Sequence, residues 1–413
     1  MRLGKQQRKP PMSMEAAIAA KPARLEGRTL LFFLTLLAAL GMLATNMYLA
    51  SFPSLGKDLA ATPAQVKLTL TVFLLGFAAG QLVIGPLSDK LGRRALLLSG
   101  LALYALTSAL IAAAVNIEWM LGLRVAQAVA ACTGSVLARA VARDLFEGDE
   151  LTRSLGFVTT MVAAAPGFSP LIGGLIEAFF GWRATFALLA IVGVLAAVIV
   201  WLRVPETHHA RDTAPGIRQA FGSYFTLLAR RDFIVPTLAT TCAMAGLFAF
   251  FASAPGIFIE RYGVPPVLFG LIPCVTVFAV FAGGFSAPRL AKKWPGYRPI
   301  VFGLVMMLIG SSAILALSIA GDPGMFAVLG VLLFFLFGMG VVNPLSTVFA
   351  LRPFPEKAGA ASALIGFFQM AGGAFGTMLL GLLPYPVLPG LPIVMAGGAI
   401  LGLIVVLTGR KNS

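Results

Sequence analysis

Charge is scarce in this sequence: Asp, Glu, Lys and Arg fill only 11% of its 413 positions, and just 16 of those side chains are acidic. Soluble domains use roughly twice that charged share, so a water-exposed globular surface is excluded. The three cysteines, Cys132, Cys242 and Cys274, each lie inside an apolar run without CxxC spacing, which argues against a disulfide framework and against a zinc site. Histidine occurs twice, as the adjacent pair His208 and His209 in a polar stretch; without Cys or acidic companions such a pair is a solvated loop and not a metal site. No phosphate-binding loop and no pairing of His, Asp or nucleophilic Ser within the apolar runs is present, so no catalytic residue, cofactor or metal is expected.

Apolar residues, in contrast, make up 59% of the chain, accompanied by 45 glycines and 26 prolines. In water these last two break helices; in lipid, small residues let helices approach closely and freed backbone groups find partners in the bundle. The composition is that of an all-α membrane protein. The net charge of +15 does not point to nucleic acid, because the basic residues form short clusters between apolar runs instead of one patch. Lipid head groups account for them.

A span needs about 20 mostly apolar residues, and twelve such runs occur, near 29–52, 66–87, 95–115, 118–140, 154–178, 184–204, 233–257, 267–287, 299–320, 325–350, 359–383 and 390–408. With the N-terminus cytoplasmic, all of the 31 basic residues except Lys57, Lys67, Arg183, Arg261 and the intramembrane Arg124 fall on the cytoplasmic side. That asymmetry orients the chain with both termini cytoplasmic. The longest polar interval divides the chain into a tail (1–28), a first bundle (29–206), a linker (207–232), a second bundle (233–408) and a short tail (409–413). The halves echo each other: GPLSDKLGRR (85–94) closes the second span and GGFSAPRLAKK (283–293) the eighth, while ASFP (50–53) and ASAP (252–255) end the first and seventh. Parallel six-helix repeats suit a transporter that pivots about a site held between them.

Several local patterns carry more specific information. Between the second and third spans, Gly85 and Gly92 permit a tight turn, and Asp89 can accept charge-assisted bonds from Arg93 or a helix N-terminus. This segment resembles the G-x-L-x-D-x-x-G-R-R loop of the major facilitator superfamily. Arg124 in Leu-Arg-Val-Ala-Gln-Ala is similar to the R-x-x-Q-G signature of that superfamily's drug:proton antiporters, with Ala128 in the glycine's place. An arginine inside a span is costly unless paired, which marks it as functional. In the fifth span Ala165-Pro166-Gly167-Phe168-Ser169-Pro170-Leu171-Ile172-Gly173-Gly174 resembles the antiporter motif of efflux carriers of the Bcr/CflA type. Its Pro166 and Pro170 remove backbone donors, and Gly173 and Gly174 allow close packing, giving a bend where helices slide.

Met47-Tyr48-Leu49, Ala140-Val141-Ala142-Arg143-Asp144-Leu145, Gly181-Trp182-Arg183, Pro205-Glu206-Thr207 and Leu351-Arg352-Pro353-Phe354-Pro355 extend that resemblance over nearly the whole chain. The last of them, with Ala44-Thr45, is also similar to purine-nucleoside exporters of the same type. The resemblance implies the major facilitator fold, two pseudo-symmetric six-helix bundles in the bacterial inner membrane. It further implies a monomer that exports small amphipathic or drug-like compounds in exchange for protons, with antibiotic resistance as the outcome. One departure limits the mechanism. The family's first helix carries Asp in D-M-Y-L-P, where the resemblance would place the proton carrier; here Asn46 stands there and Ala50 replaces the proline.

Asparagine does not titrate, and no acidic residue falls at the centre of a span. Three readings stay open: transport without protons, coupling through a peripheral acid such as Glu177, or an introduced Asp-to-Asn change. A uniporter, or an uptake or export carrier for a nutrient such as a nucleoside, remains the alternative. The substrate site is expected among mid-span residues: Asn46 and Tyr48 from the first helix, Arg124 and Gln127 from the fourth, Phe248 and Phe251 from the seventh, Asn343 from the tenth and Gln369 from the eleventh. Few polar groups among aromatic walls suit an amphipathic molecule. Asn46 and Arg124 lie at matching depth, so contact between them, direct or through water, is expected.

Overall fold

The structure is a computed structural model describing residues 27–207, 217–383 and 387–409, without the side chains of 217–220. The tail up to Glu26, the His208 and His209 pair and the residues from Arg410 onward lie outside it. Among the described residues twelve helices are long and apolar enough to cross a membrane: α1 (Gly27–Asp58), α2 (Pro63–Leu91), α3 (Arg93–Ala112), α4 (Ile117–Leu145), α5 (Gly148–Phe180), α6 (Trp182–Arg203), α7 (Arg231–Arg261), α8 (Pro266–Lys293), α9 (Arg298–Ala320), α10 (Met325–Leu351), α11 (Pro355–Leu382) and α12 (Val387–Gly409). Several overshoot the bounds read from hydropathy. α4 runs on to Leu145, because the polar residues of its last turns continue the helix beyond the apolar run.

Helix ends follow local chemistry. Thr62 and Gln65 form a reciprocal capping box ahead of Pro63 at the start of α2, and the Asn116 side chain accepts the Trp119 amide at 2.8 Å to open α4; both satisfy amides that the first helical turn leaves unpartnered. Between α2 and α3 the chain turns on Gly92 at φ 94°, a left-handed conformation that favours glycine.

Two packing groups result. In the first, α1 contacts α4 and α5, α2 contacts α4, and α3 contacts α4 and α6; in the second, α7 contacts α10 and α11, α8 contacts α10, and α9 contacts α10 and α12. Adding six to each helix number of the first set yields the second. Helices α2 with α11 and α5 with α8 join the two groups. Large apolar side chains on the periphery, such as Phe179, Phe278, Phe285 and Phe326, are more than two-thirds exposed, which hydrocarbon tolerates and water does not. The chain is a multi-pass membrane protein.

A short helix, Ile217–Leu228, follows α6 on the side where α2, α4, α6, α8 and α10 end; this is termed the linker side. Its Tyr224 hydroxyl donates to the Leu82 carbonyl at 2.9 Å. Burial and the nearby Asp89 carboxylate push that phenol up to about 12, so it stays a donor at physiological pH. Tyr224 and Leu227 complete a small core with Phe233, Leu364 and Ile365, tying the linker to α7 and α11.

Candidate functional site

α1 is discontinuous. Its first segment ends at Asn46, a 3-10 turn covers Leu49–Ser51, and a second segment runs Phe52–Asp58 with Pro53 in its first turn. Interrupting a helix frees carbonyls, and in lipid each needs a donor. Arg124 supplies it: one guanidinium nitrogen donates to the Ala44 carbonyl at 3.0 Å and to Gln127 Oε1 at 2.7 Å, and Nε donates to the Thr69 carbonyl at 3.4 Å. Gln127 passes the chain on to Ser108 Oγ at 2.8 Å. The guanidinium carbon lies 4.5 Å from the Tyr48 ring centre and 4.3 Å from that of Phe73, within cation–π range. Tyr48 itself bonds Thr69 Oγ1 at 3.0 Å. Arg124, Gln127 and Tyr48 have no exposed surface.

Asn46 does not join this network. Its amide nitrogen donates to the Met42 carbonyl at 2.8 Å and to Thr45 Oγ1 at 3.0 Å, so the expected direct contact with Arg124 is absent here. The reason is local: Asn46 ends a helical segment, and its amide bonds a carbonyl one turn back on the same helix. Asn46 Oδ1 and Arg124 Nη2 are both buried without a hydrogen-bond partner among the described residues.

A cavity of about 430 Å3 lies elsewhere, between the two groups of helices. Residues of α1, α2, α4 and α5 line one wall and residues of α7, α8, α10 and α11 the other. Thr159, Arg139 and Ser362, toward the linker side, are exposed, whereas Phe248, Phe251 and Met370 at its depth are buried. The cavity therefore opens on the linker side. Phe248 and Phe251 meet edge to face at 5.7 Å. Behind them, Gln369 Nε2 donates to Asn343 Oδ1 at 2.9 Å and to Thr240 Oγ1 at 3.2 Å, while Thr240 also donates to Asn343 at 2.9 Å, which pins α7, α10 and α11 together.

Toward the far side the groups close on backbone. A methyl added at Gly173 would overlap the Met47 carbonyl of α1, one at Gly174 the Pro266 carbonyl of α8, and one at Gly270 the backbone of Leu171. Gly173 and Gly174, adjacent in sequence, thus face opposite groups, with only glycine fitting. Cys274 Sγ donates to the Gly167 carbonyl at 2.8 Å, and the hydroxyls of Thr71 (α2) and Thr377 (α11) meet at 2.7 Å. Both threonines are almost fully buried. Valine at Thr71 or at Thr377 is expected to cost about 1 kcal/mol, and the two together less than the sum; a double-mutant cycle on thermal unfolding in detergent measures the coupling.

On the linker side Arg93 pairs with Asp89 at 2.5 Å and with Asp144 at 3.3 Å and also bonds Ser88 Oγ. Asp144 accepts the Thr207 hydroxyl at 3.0 Å, and Glu206 accepts the Arg93 amide at 2.9 Å. These bonds join the ends of α2, α3, α4 and α6, all within the first group. In this conformation the partner of Asp89 is Arg93.

Of the residues singled out by sequence, Phe248, Phe251, Asn343, Gln369 and Pro166 line the cavity. Tyr48, Arg124 and Gln127 form the buried cluster beyond it, Asn46 sits on its own helix, Pro170 and Gly174 form the far-side seam, and Gly173 packs against α1 within the first group. Gly85 has open space around its Cα, and Gly92 makes the turn. Sequence reasoning missed Arg139 and Gln81, both in the lining. A signal for Arg139 existed: it follows Arg124 by fifteen residues, which on a helix returns to within about 60° of the same face.

Set against known proteins, residues 34–377 match the family described as Major Facilitator Superfamily. The chain is 34% identical over 357 residues to a chloramphenicol resistance protein of Pseudomonas aeruginosa, covering 84% of this chain and 82% of that one. It is 32% identical over 349 residues to a bicyclomycin resistance protein homolog of Haemophilus influenzae, covering 84% and 87%. In three dimensions a bacterial homolog of the human lysosomal transporter Spinster, solved inward-facing and unoccupied, superposes with a TM-score of 0.71 over 92% of this chain and 95% of that one. At 15% identity that likeness is one of fold.

Proposed function

The chain belongs to the major facilitator superfamily, in its Bcr/CflA-type branch of drug efflux carriers, and from that premise we propose that its cavity loads small amphipathic molecules from the cytoplasm and releases them across the inner membrane. The observation that carries this reading is the cavity itself: both groups line it, it opens on the linker side and backbone contacts seal it on the far side. The asymmetry of basic residues supports a cytoplasmic linker side and, with it, cytoplasmic termini. In the cycle, bundles 29–206 and 233–408 rock about the cavity on the 207–232 linker, so that the far-side seam parts as the linker side closes. One chain encloses the whole pathway, so a monomer suffices.

Cargo touches Phe248, Phe251, Asn343 and Gln369. Among the described residues, no other hydrogen bond of the Asn343 and Gln369 amides is made beyond those to each other and to Thr240, which leaves one donor group and one acceptor for a ligand. Arg124 braces the broken α1 and does not contact cargo. Asp89, Arg93 and Asp144 hold the linker-side ends of the first bundle together while the cavity is open.

Proton coupling in this chain turns on position 46. An aspartic acid there retains the bond to the Met42 carbonyl only when protonated, because a carboxylate has no donor; asparagine keeps that bond at every pH. The chain with Asn46 is therefore expected to move chloramphenicol in proteoliposomes without a substrate-driven pH change, and Asn46→Asp to produce one. Equal pH changes in both would assign coupling to another acid, with Glu177 the first to substitute. Cells expressing the chain should gain resistance to chloramphenicol; increased sensitivity with net accumulation would instead establish uptake.

A further inference from the structure

We propose that the cavity selects neutral and anionic cargo and rejects cations, with Arg139 as the residue that sets this preference; the proposal rests on the export reading above and sharpens it. Among the described residues Arg139 is the one charged side chain in the lining, and no Asp or Glu faces the cavity. Arg139 is exposed into that space, and its one hydrogen bond among the described residues is a long one, 3.4 Å to Ser135 Oγ. A guanidinium offers five donors, so most of its capacity is unspent.

The neighbours do not neutralise it. Arg143, one turn nearer the linker side, adds positive charge of its own. Asp144, the adjacent acid, is engaged by Arg93 and by Thr207. The remaining walls are largely methionine, phenylalanine and small residues, including Met42, Met244, Met339 and Met370, which are polarisable, adaptable surfaces of low dielectric. There an uncompensated charge acts more strongly on a ligand than it would in water. With Asn343 and Gln369 on the opposite bundle, the cavity suits a molecule with an apolar body, an oxygen-rich end of zero or negative charge for Arg139, and an amide-like group for the far wall.

Tetraphenylborate and tetraphenylphosphonium test this directly, being nearly the same size and shape with opposite charge. Binding to purified protein in nanodiscs, corrected with empty discs, is expected to favour tetraphenylborate by about tenfold or more in the wild type. Arg139→Lys should keep that preference, Arg139→Gln should bring the ratio close to unity, and Arg139→Glu should invert it. Chloramphenicol, which is neutral, serves as the reference ligand: in variants that remain monodisperse its affinity should move less than the ratio between the two ions. Equal binding of the two ions by wild type, or a ratio unmoved by Arg139→Gln and Arg139→Glu, would overturn the proposal. The export reading fails separately, by absence of chloramphenicol resistance in cells, and that outcome would leave the binding ratio standing.

Discussion

Replacing Arg124 with alanine is expected to reduce export to background and to destabilise the first bundle by roughly 3–5 kcal/mol. The size follows from what the guanidinium holds. Removing it strips a donor from the Ala44 carbonyl freed by the break in α1, leaves Gln127 Oε1 without its partner, and empties the space between the Tyr48 and Phe73 rings. Each buried group left unpartnered costs about 1–3 kcal/mol, and the lost stacking adds to that. Lysine separates charge from geometry, because a compact ammonium cannot fork to Ala44, Thr69 and Gln127 together. Arg124→Lys should therefore fold with a lowered melting temperature and export poorly. Thermal unfolding in detergent and drug accumulation in cells read the two effects, and a lysine variant with wild-type values of both would refute the bracing role.

Gly174→Val should fold and yet fail to transport. Gly173 packs within the first bundle, against Met47 of α1, whereas Gly174 packs across the seam, against Pro266 of α8. A side chain at 174 therefore spares the bundle's interior and prevents the bundles from meeting on the far side. The population shifts toward the conformation open on that side. With the native cysteines replaced by alanine and a reporter introduced as Thr377→Cys, a membrane-impermeant thiol reagent added outside should label the valine variant about tenfold faster or more; in the unsubstituted seam Thr377 is buried. Gly173→Val, in contrast, should lower expression and thermal stability. Unchanged labelling alongside normal export by Gly174→Val would count against the seam as the moving part.

The twelve helices and their pairing into two repeats were legible because hydrocarbon imposes a simple rule: long apolar runs, with charge only between them. Asn343 and Gln369 were legible for a related reason, since amides in the middle of a span must find partners, and here they find each other beside the cavity. Arg139 was not, because it lies six residues before the end of α4, where a basic residue reads as an anchor at the lipid head groups. Only the turn relating it to Arg124 and its place in the cavity lining reveal that it faces inward. The break in α1 was hidden as well. Asn46 to Phe52 carries no charge and lies within the first apolar run, and it is the guanidinium from α4, distant in sequence, that makes the interruption affordable in lipid. The self-bonding of Asn46 followed from that same break, which moved the residue from a helix interior to a helix end.

Arg124 carries a full positive charge within the bilayer, on a bundle that tilts in the proposed cycle. As the bundle swings, that charge crosses a part of the transmembrane voltage drop, which is worth about 2.3 kcal/mol per elementary charge for each 100 mV traversed in full. Polarisation of the cell thus does work on the swing itself, even when the passenger is uncharged, and turnover measured under a clamped potential will depend on its sign.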